Sequence, residues 1–353
     1  MLVVLTCTNL TRKIMTSSDF SSTTCGISGG HAPWDLQAML RKKIAENGGI
    51  VSCHAHFDKA YVISPETLAM TLEHMEVKWD LWKKVKAGYT HANLIERMSI
   101  SAENMIAQGC KVTRTNIDVD NTVGMMCVEA ALEVKEKYAD QIEIQLCSQV
   151  LEGAMSPEAR EWIEKAAPHV DLLGGLPSRD RPKQGEHLDY IFEMAKKLGK
   201  TVDVHIDQNN DPEERDTELL ARKVIEHGLQ GRVNAVHACS LAAQPNDYML
   251  EVIKLIKEAD MSVIVCPRAM LDGVQMRDKM APVHNSIAPV PQLVEAGVNV
   301  CLGVDNVADY FCPFIDGNVF DELLFLIETC RYYDVDELVK IATTNGRKVC
   351  ENL

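Results

Sequence analysis

Five side chains able to bind a metal or move a proton stand at the ends of four apolar stretches. His54 and His56 follow Ile50-Val-Ser-Cys53, and His205 closes Thr201-Val-Asp-Val-His205. His237 closes Val233-Asn-Ala-Val-His237, and Asp305 closes Val298-Asn-Val-Cys-Leu-Gly-Val-Asp305. Side chains alternate along a strand, so His54 and His56 point to the same side, as half of a divalent metal site would. A lone His-x-His reads equally well as two loop histidines; its recurrence with ligand-type residues on three further apolar runs turns the reading to a metal site. His54, His56 and His205 offer neutral nitrogens and Asp305 an oxygen, a set suited to Zn2+ or Fe2+. A water in the open position would have its pKa lowered towards ~7. Asp305 is then the catalytic group that takes the proton, and His237 the one that hydrogen-bonds the oxygen of a tetrahedral intermediate.

For these residues to meet, the runs that carry them must end at one place. Periodicity and capping signals predict helices at 92–109, 122–138, 157–167, 187–198, 212–227, 247–259 and 289–296, with closing helices at 316–331 and 335–344. Strands are predicted at 111–117, 142–148, 170–173 and 261–266 besides the four runs above. The result is eight strand–helix units whose strands are continuous apolar runs, as parallel strands buried on both faces are. An open doubly wound sheet would put its site at a strand-order switch. Ligands on strands one, five, six and eight converge only in a closed α/β (β/α)8 TIM barrel, at the C-terminal ends of the strands.

Residues 1–31, rich in Ser and Thr, read as an irregular N-terminal arm, either packed between the subunits of a homo-oligomer or disordered. Residues 32–353 are the barrel, opening with a helix at 34–46 that Gly48-Gly49 stop. The stretch 60–90 is an insertion whose Trp79 and Trp82 either form a lid over a pocket or pack locally.

At 353 residues and 46% hydrophobic content the chain suits one such barrel, and no run approaches the ~20 apolar residues of a membrane span. The N-terminus lacks a basic n-region and the apolar length of a signal peptide. A net charge of −15 without any basic block argues against DNA or RNA and for a small neutral or cationic substrate. The 12 cysteines are dispersed, none in C-x-x-C, and Cys53, Cys147, Cys266 and Cys301 lie in apolar runs as reduced core thiols do, which points to the cytoplasm. His31, His74, His91, His169, His187, His227 and His284 fall away from strand ends and read as surface or packing residues.

Taken together, His-x-His-x-Asp-Lys (His54 to Lys59), Val-Asp-Val-His-x-Asp (Val202 to Asp207), His237 and Gly-Val-Asp (Gly303 to Asp305) resemble the amidohydrolase superfamily, and within it the cytosine deaminase branch. Thr113-Arg-Thr-Asn-Ile-Asp118, Asp211-Pro212 and Ala342-Thr-Thr-Asn-Gly346 add to a similarity that runs from about Gly48 to the C-terminus. The resemblance implies that His54, His56, His205 and Asp305 hold the metal while His237 and Asp305 assist hydroxide attack. Two-metal relatives carry a carboxylated lysine at the end of strand four; here Leu172-Leu-Gly-Gly-Leu-Pro-Ser178 has none, so one metal is expected. Gln208, Asn306, Asp58, Lys59 and Gln149 are the expected substrate contacts.

Three departures from that pattern bear on the chemistry. Family deaminases carry a proton-shuttling Glu three residues after the strand-five His, where this chain has Gln208, an amide that hydrogen-bonds but exchanges no proton at neutral pH. Asn306 stands where cytosine deaminases tend to have a second acid. The sequence after 344 is also too short for half of the small β-sandwich that many relatives carry, so a complete β-sandwich domain is not expected. The expected activity is mononuclear, metal-dependent hydrolysis of a C–N bond (deamination, or loss of an amine or amide) in a small N-heterocycle by metal-bound hydroxide. The alternatives are displacement of another leaving group, such as halide, from a heteroaromatic ring, or a metal-retaining binding protein that has lost catalysis.

Overall fold

A computed structural model of the protein describes residues 35–353. The expected arm, with His31, lies outside the described residues. Residues Lys43–Leu353 form one compact unit, which holds the barrel and the site.

Eight parallel strands carry the fold: β1 (Val51–Ser52), β2 (Val112–Asp118), β3 (Glu143–Gln149), β4 (Leu173–Gly175), β5 (Val202–Ile206), β6 (Val233–His237), β7 (Ser262–Val265) and β8 (Val300–Leu302). They pair in chain order, β1-β2-β3 and β4-β5-β6-β7-β8. The two sheets are joined at both edges. Cys147 bridges Leu172 between β3 and β4, and Ala55 bridges Asp305 beyond the ends of β1 and β8. The Cys53 amide also donates to the Leu302 carbonyl at 2.7 Å. Each strand thus has a neighbour on both sides, and the ring is a (β/α)8 barrel. Val51, Cys53, Val236, Ile264, Cys301, Val349 and Cys350 form a buried cluster within it, as runs covered on both faces require.

Several elements differ from the sequence expectation: the helix expected from 122 begins at Met126, and an unforeseen helix, Thr344–Glu351, closes the chain. The fourth strand lies a few residues later than 170–173, because Asp171 ties the incoming chain to β3: its carboxylate accepts from the Leu146 amide at 2.7 Å. The two glycines that look like a breaker are strand residues, and a β-carbon on Gly174 would overlap the Ser148 carbonyl. The helix expected from Pro212 begins at Asp216. The reason is Asp207, just past β5, whose carboxylate accepts from the amides of Asp216 and Thr217 at 3.1 and 2.9 Å and from the Thr217 hydroxyl at 2.6 Å. A side chain from the strand loop thereby satisfies the open helix start and fixes the loop that carries Gln208. The insertion is itself ordered, with a short 3-10 turn at Leu68–Leu72 and a helix at Met75–Lys86.

Candidate metal centre

The ends of β1, β5 and β8 bring one nitrogen each from His54, His56 and His205 and one oxygen of Asp305 within 4.8 Å of one another, all four side chains buried. The Nε2 atoms of His54 and His56, just beyond β1, both lie 3.2 Å from Asp305 Oδ1. His205 Nε2 faces His56 Nε2 at 3.3 Å. From the end of β6, His237 Nε2 stands 3.9 Å from Asp305 Oδ2. His237 and Asp305 have φ of 78° and 61°, a conformation that costs a non-glycine residue energy and that collects at functional sites.

The surroundings hold these rings in place. Asn116 on β2 meets His54 Nδ1 at 2.9 Å, and the other end of its amide, Oδ1, is buried without a hydrogen-bond partner. Turned so that Oδ1 accepts from Nδ1–H, the amide selects the tautomer whose Nε2 lone pair faces the cluster. Burial favours the neutral form of the other rings: it takes His56 down to about 4, with Lys59 adding to the effect, and His237 to about 3. His205 is also pushed well below the ordinary imidazole range by burial and the neighbouring histidines. Burial opposes ionisation of Asp305, but His237, His54 and His56 outweigh it and hold the carboxyl well below its usual range. His54 Nε2 is buried with no hydrogen-bond partner. Three imidazole nitrogens converging on one carboxylate, one of them orphaned, fit a divalent cation between them.

Beside the cluster lies a cavity of about 370 Å³, lined at its inner end by the buried His56, His205, Asp305, Lys59, Gln149 and Asn306 and by half-buried Gln208. Gln149 Oε1 is buried there with no hydrogen-bond partner. Asn306 donates to Asp309 at 2.5 Å. Of the expected substrate contacts, Asp58 is the one that does not line the cavity. Its carboxylate is turned back onto the Asp118 amide at 2.9 Å, behind Lys59, while Arg97 holds the carbonyls of Asp58 and Ala60. His74, read from sequence as surface or packing, lines the cavity. His187 is a packing residue, bonded to Asp180 at 2.6 Å and accepting from the Leu176 amide at 3.0 Å. In the insertion, Trp79 lines the cavity, and Trp82 is buried edge-on against Tyr310 and Phe311.

The described residues add a buried charge network that motif reading misses. Lys59 donates to Asp118 at 2.6 Å, and Lys86 donates to Asp118 at 2.9 Å and to Asp120. Burial opposes the charge on Asp118, but Lys59 and Lys86 prevail and take its carboxyl to about 2. The acids Asp118 and Asp120 could be suspected from their place at the end of a strand. Lys86 carries no such signal, because it sits on the far end of the inserted helix.

Residues 48–351 match the Amidohydrolase family. The chain belongs to the amidohydrolase family. As such it is a metal-dependent hydrolase, in agreement with the donor cluster. It is 35% identical over 263 residues to an uncharacterized protein of Haemophilus influenzae, spanning 73% of this chain and 95% of that one. It is 29% identical over 330 residues to N-isopropylammelide isopropyl amidohydrolase of a Pseudomonas species, spanning 89% and 78%. The crystal structure of 5-methylcytosine deaminase from Klebsiella pneumoniae superposes with a TM-score of 0.79 at 26% identity, over 85% of this chain and 74% of that one. This amidohydrolase thus has relatives that act on small heterocycles, and no helix among its described residues is long and apolar enough to cross a membrane.

Proposed function

We propose that this amidohydrolase displaces an amine from a small N-heterocycle bearing a ring carbonyl, using one zinc or ferrous ion held by His54, His56, His205 and Asp305. The observation that carries the reading is the meeting of that donor set with a cavity that is also lined by buried Lys59, Gln149 and Asn306 and by half-buried Gln208. Lys59 has three N–H groups; with one on Asp118, another is available to a ring carbonyl, while Gln149 Oε1 accepts from an adjacent ring N–H. The relatives named for N-isopropylammelide and 5-methylcytosine support this substrate class.

Bound in the cluster, the ion supplies Lewis acidity that brings the pKa of water towards ~7. Asp305, ionised, accepts the proton of the attacking water and passes it to the departing nitrogen. His237, neutral, donates a hydrogen bond to the oxygen that gains charge as the ring carbon becomes tetrahedral. Gln208 orients the ring without exchanging a proton, so the leaving group must depart with the single proton that Asp305 delivers. Gln208 therefore also favours a second reading, displacement of a better leaving group such as halide.

The test joins metal analysis of the purified protein to amine, ammonia and halide release over a panel of aminopyrimidines, pterins and alkylamino- or halo-triazines. About one zinc or iron per chain and amine release from a carbonyl-bearing ring are expected, both lost in His54→Ala. Halide release alone would move the activity to the second reading. Full metal retention in both His54→Ala and His56→Ala would remove these histidines from the ligand set.

A further inference from the structure

The open end of the cavity differs from its buried end. Leu72 from the insertion, Val274 from the segment after β7 and Phe314 from the segment after β8 line it at 83%, 44% and 80% exposure, with Trp79, Met276 and Phe311 alongside. Large apolar side chains exposed singly are ordinary, but several converging on one cavity mark a binding surface. Three separate segments of chain supply them, so no one loop's local packing accounts for the group. A cavity of about 370 Å³ also falls in the range that encloses drug-sized ligands, more than one bare ring fills.

We propose that this outer apolar wall is a second subsite, and that the physiological substrate is a heterocycle carrying a neutral hydrophobic substituent, alkyl or aryl, that lies between Leu72, Val274 and Phe314 while the ring is at the metal cluster. This rests on the proposed function only in placing a ring at the buried end. The charges at the opening exclude an acidic substituent. Glu73, Glu76 and Asp272 line it, and Lys78, which burial pushes below the ordinary lysine range, is the one lysine among them. Lys78 Nζ is also turned over the Phe311 ring, 5.9 Å from its centre, so its charge faces an aromatic surface.

Uracil and its benzyl derivatives lack a leaving amine and do not react, so their binding to the metal-loaded protein is read at equilibrium by calorimetry. At least one of 1-, 5- and 6-benzyluracil is expected to bind ~10-fold or more tightly than uracil, since burying an aromatic ring is strongly favourable. In Leu72→Ala/Phe314→Ala, both exposed sites, that ratio should fall to about two or less with uracil itself unchanged. The acidic 5-(4-carboxybenzyl)uracil should bind more weakly than 5-benzyluracil. No gain from any benzyl group, a gain that survives the double variant, or tighter binding of the acid would each overturn the subsite. So would a lower oligomeric state of the double variant with an unaltered ratio, which would give the face to a second copy of the chain. If no uracil binds, the ring reading fails, and the subsite is tested alone by Trp79 fluorescence with benzyl alcohol, using Trp79→Phe to assign the signal. A saturable change that the double variant abolishes would then sustain it, and no saturable change would end it.

Discussion

Gly303 lies against His54 so closely that a β-carbon built on it would sit 2.5 Å from His54 Cβ and 2.8 Å from the His54 carbonyl oxygen. Those atoms belong to the backbone and to the root of the side chain, so no distal rotation relieves the overlap. The glycine before Val304-Asp305 is thus part of the metal centre, since it allows β8 to bring Asp305 within reach of the β1 histidines. In Gly303→Ala, β1 and β8 must separate by a few tenths of an ångström or more. We expect at least ~10-fold weaker metal affinity, the scale of a lost outer contact to a ligand. Competition with a chromophoric chelator measures it, and affinity equal to wild type would show that the strands part without moving His54.

Lys86 joins the inserted helix to the end of β2 through Asp118 and Asp120. Removing one partner of a buried ion pair leaves an uncompensated charge, at a cost of ~3–5 kcal/mol. Lys86→Met should therefore lower stability by about that much in urea unfolding, and raise KM more than it lowers kcat, because Lys59 then carries Asp118 alone. Adding Asp120→Asn should recover part of the loss. A double variant as unstable as the sum of the singles would show that Lys86 and Asp120 do not act as a pair.

The contrast between His205 and Lys86 shows what was legible beforehand. His205, His237 and Asp305 each close an apolar run, so parallel strands with a common direction place them at one mouth whatever the details of packing. Asn116 supports His54 from a neighbouring strand, and that contact depends on the β1–β2 register, which a single chain does not display. Strand four lies later than its apolar run suggests because two glycines carry no strand signal of their own, whereas Gly174 is required by its approach to Ser148. The place of Asp58 in the His54–Lys59 motif suggests a substrate contact. Its actual direction follows from a turn at 57–60 held by Arg97, nearly forty residues on.

Asp309 is fully buried, and burial pushes its carboxyl up to about 7, although the amides of Phe311 and Cys312 and the side chain of Asn306 favour the charged form. Its ordinary value is 3.8. Between those values the folded state holds a proton that the unfolded state has lost, so the contribution is full below the lower value and disappears as pH rises through about 7. Asp309→Asn resembles the protonated form and keeps an acceptor for both amides. Relative to wild type it should gain stability from pH 5 to pH 8, by a few kcal/mol at most, at ~1.4 kcal/mol per tenfold change in proton affinity. Urea midpoints of the two proteins across that range test it. Parallel curves would mean that Asp309 is ionised throughout.

Gln208 stands on the loop that Asp207 pins to the start of the next helix, and it lines the cavity with His56, His205 and Asp305. Its amide can orient a ring but cannot protonate a leaving nitrogen. Gln208→Glu supplies a carboxyl at that position, and general acid catalysis is typically worth ~10²–10⁴ in rate. The gain should fall on substrates that lose ammonia, a poor leaving group, and reach at least ~10-fold in kcat. For the substrate to which the wild-type pocket is matched, the change should be small or negative. A charge placed beside Asp305 and the metal ligands raises the new carboxyl's own pKa and disturbs Asp305. The informative quantity is the ratio of kcat values for paired substrates that differ only in leaving group, measured in both proteins. If that ratio does not move, Gln208 does not face the bond that breaks, and the assignment of the loop after β5 to the reacting end of the cavity fails.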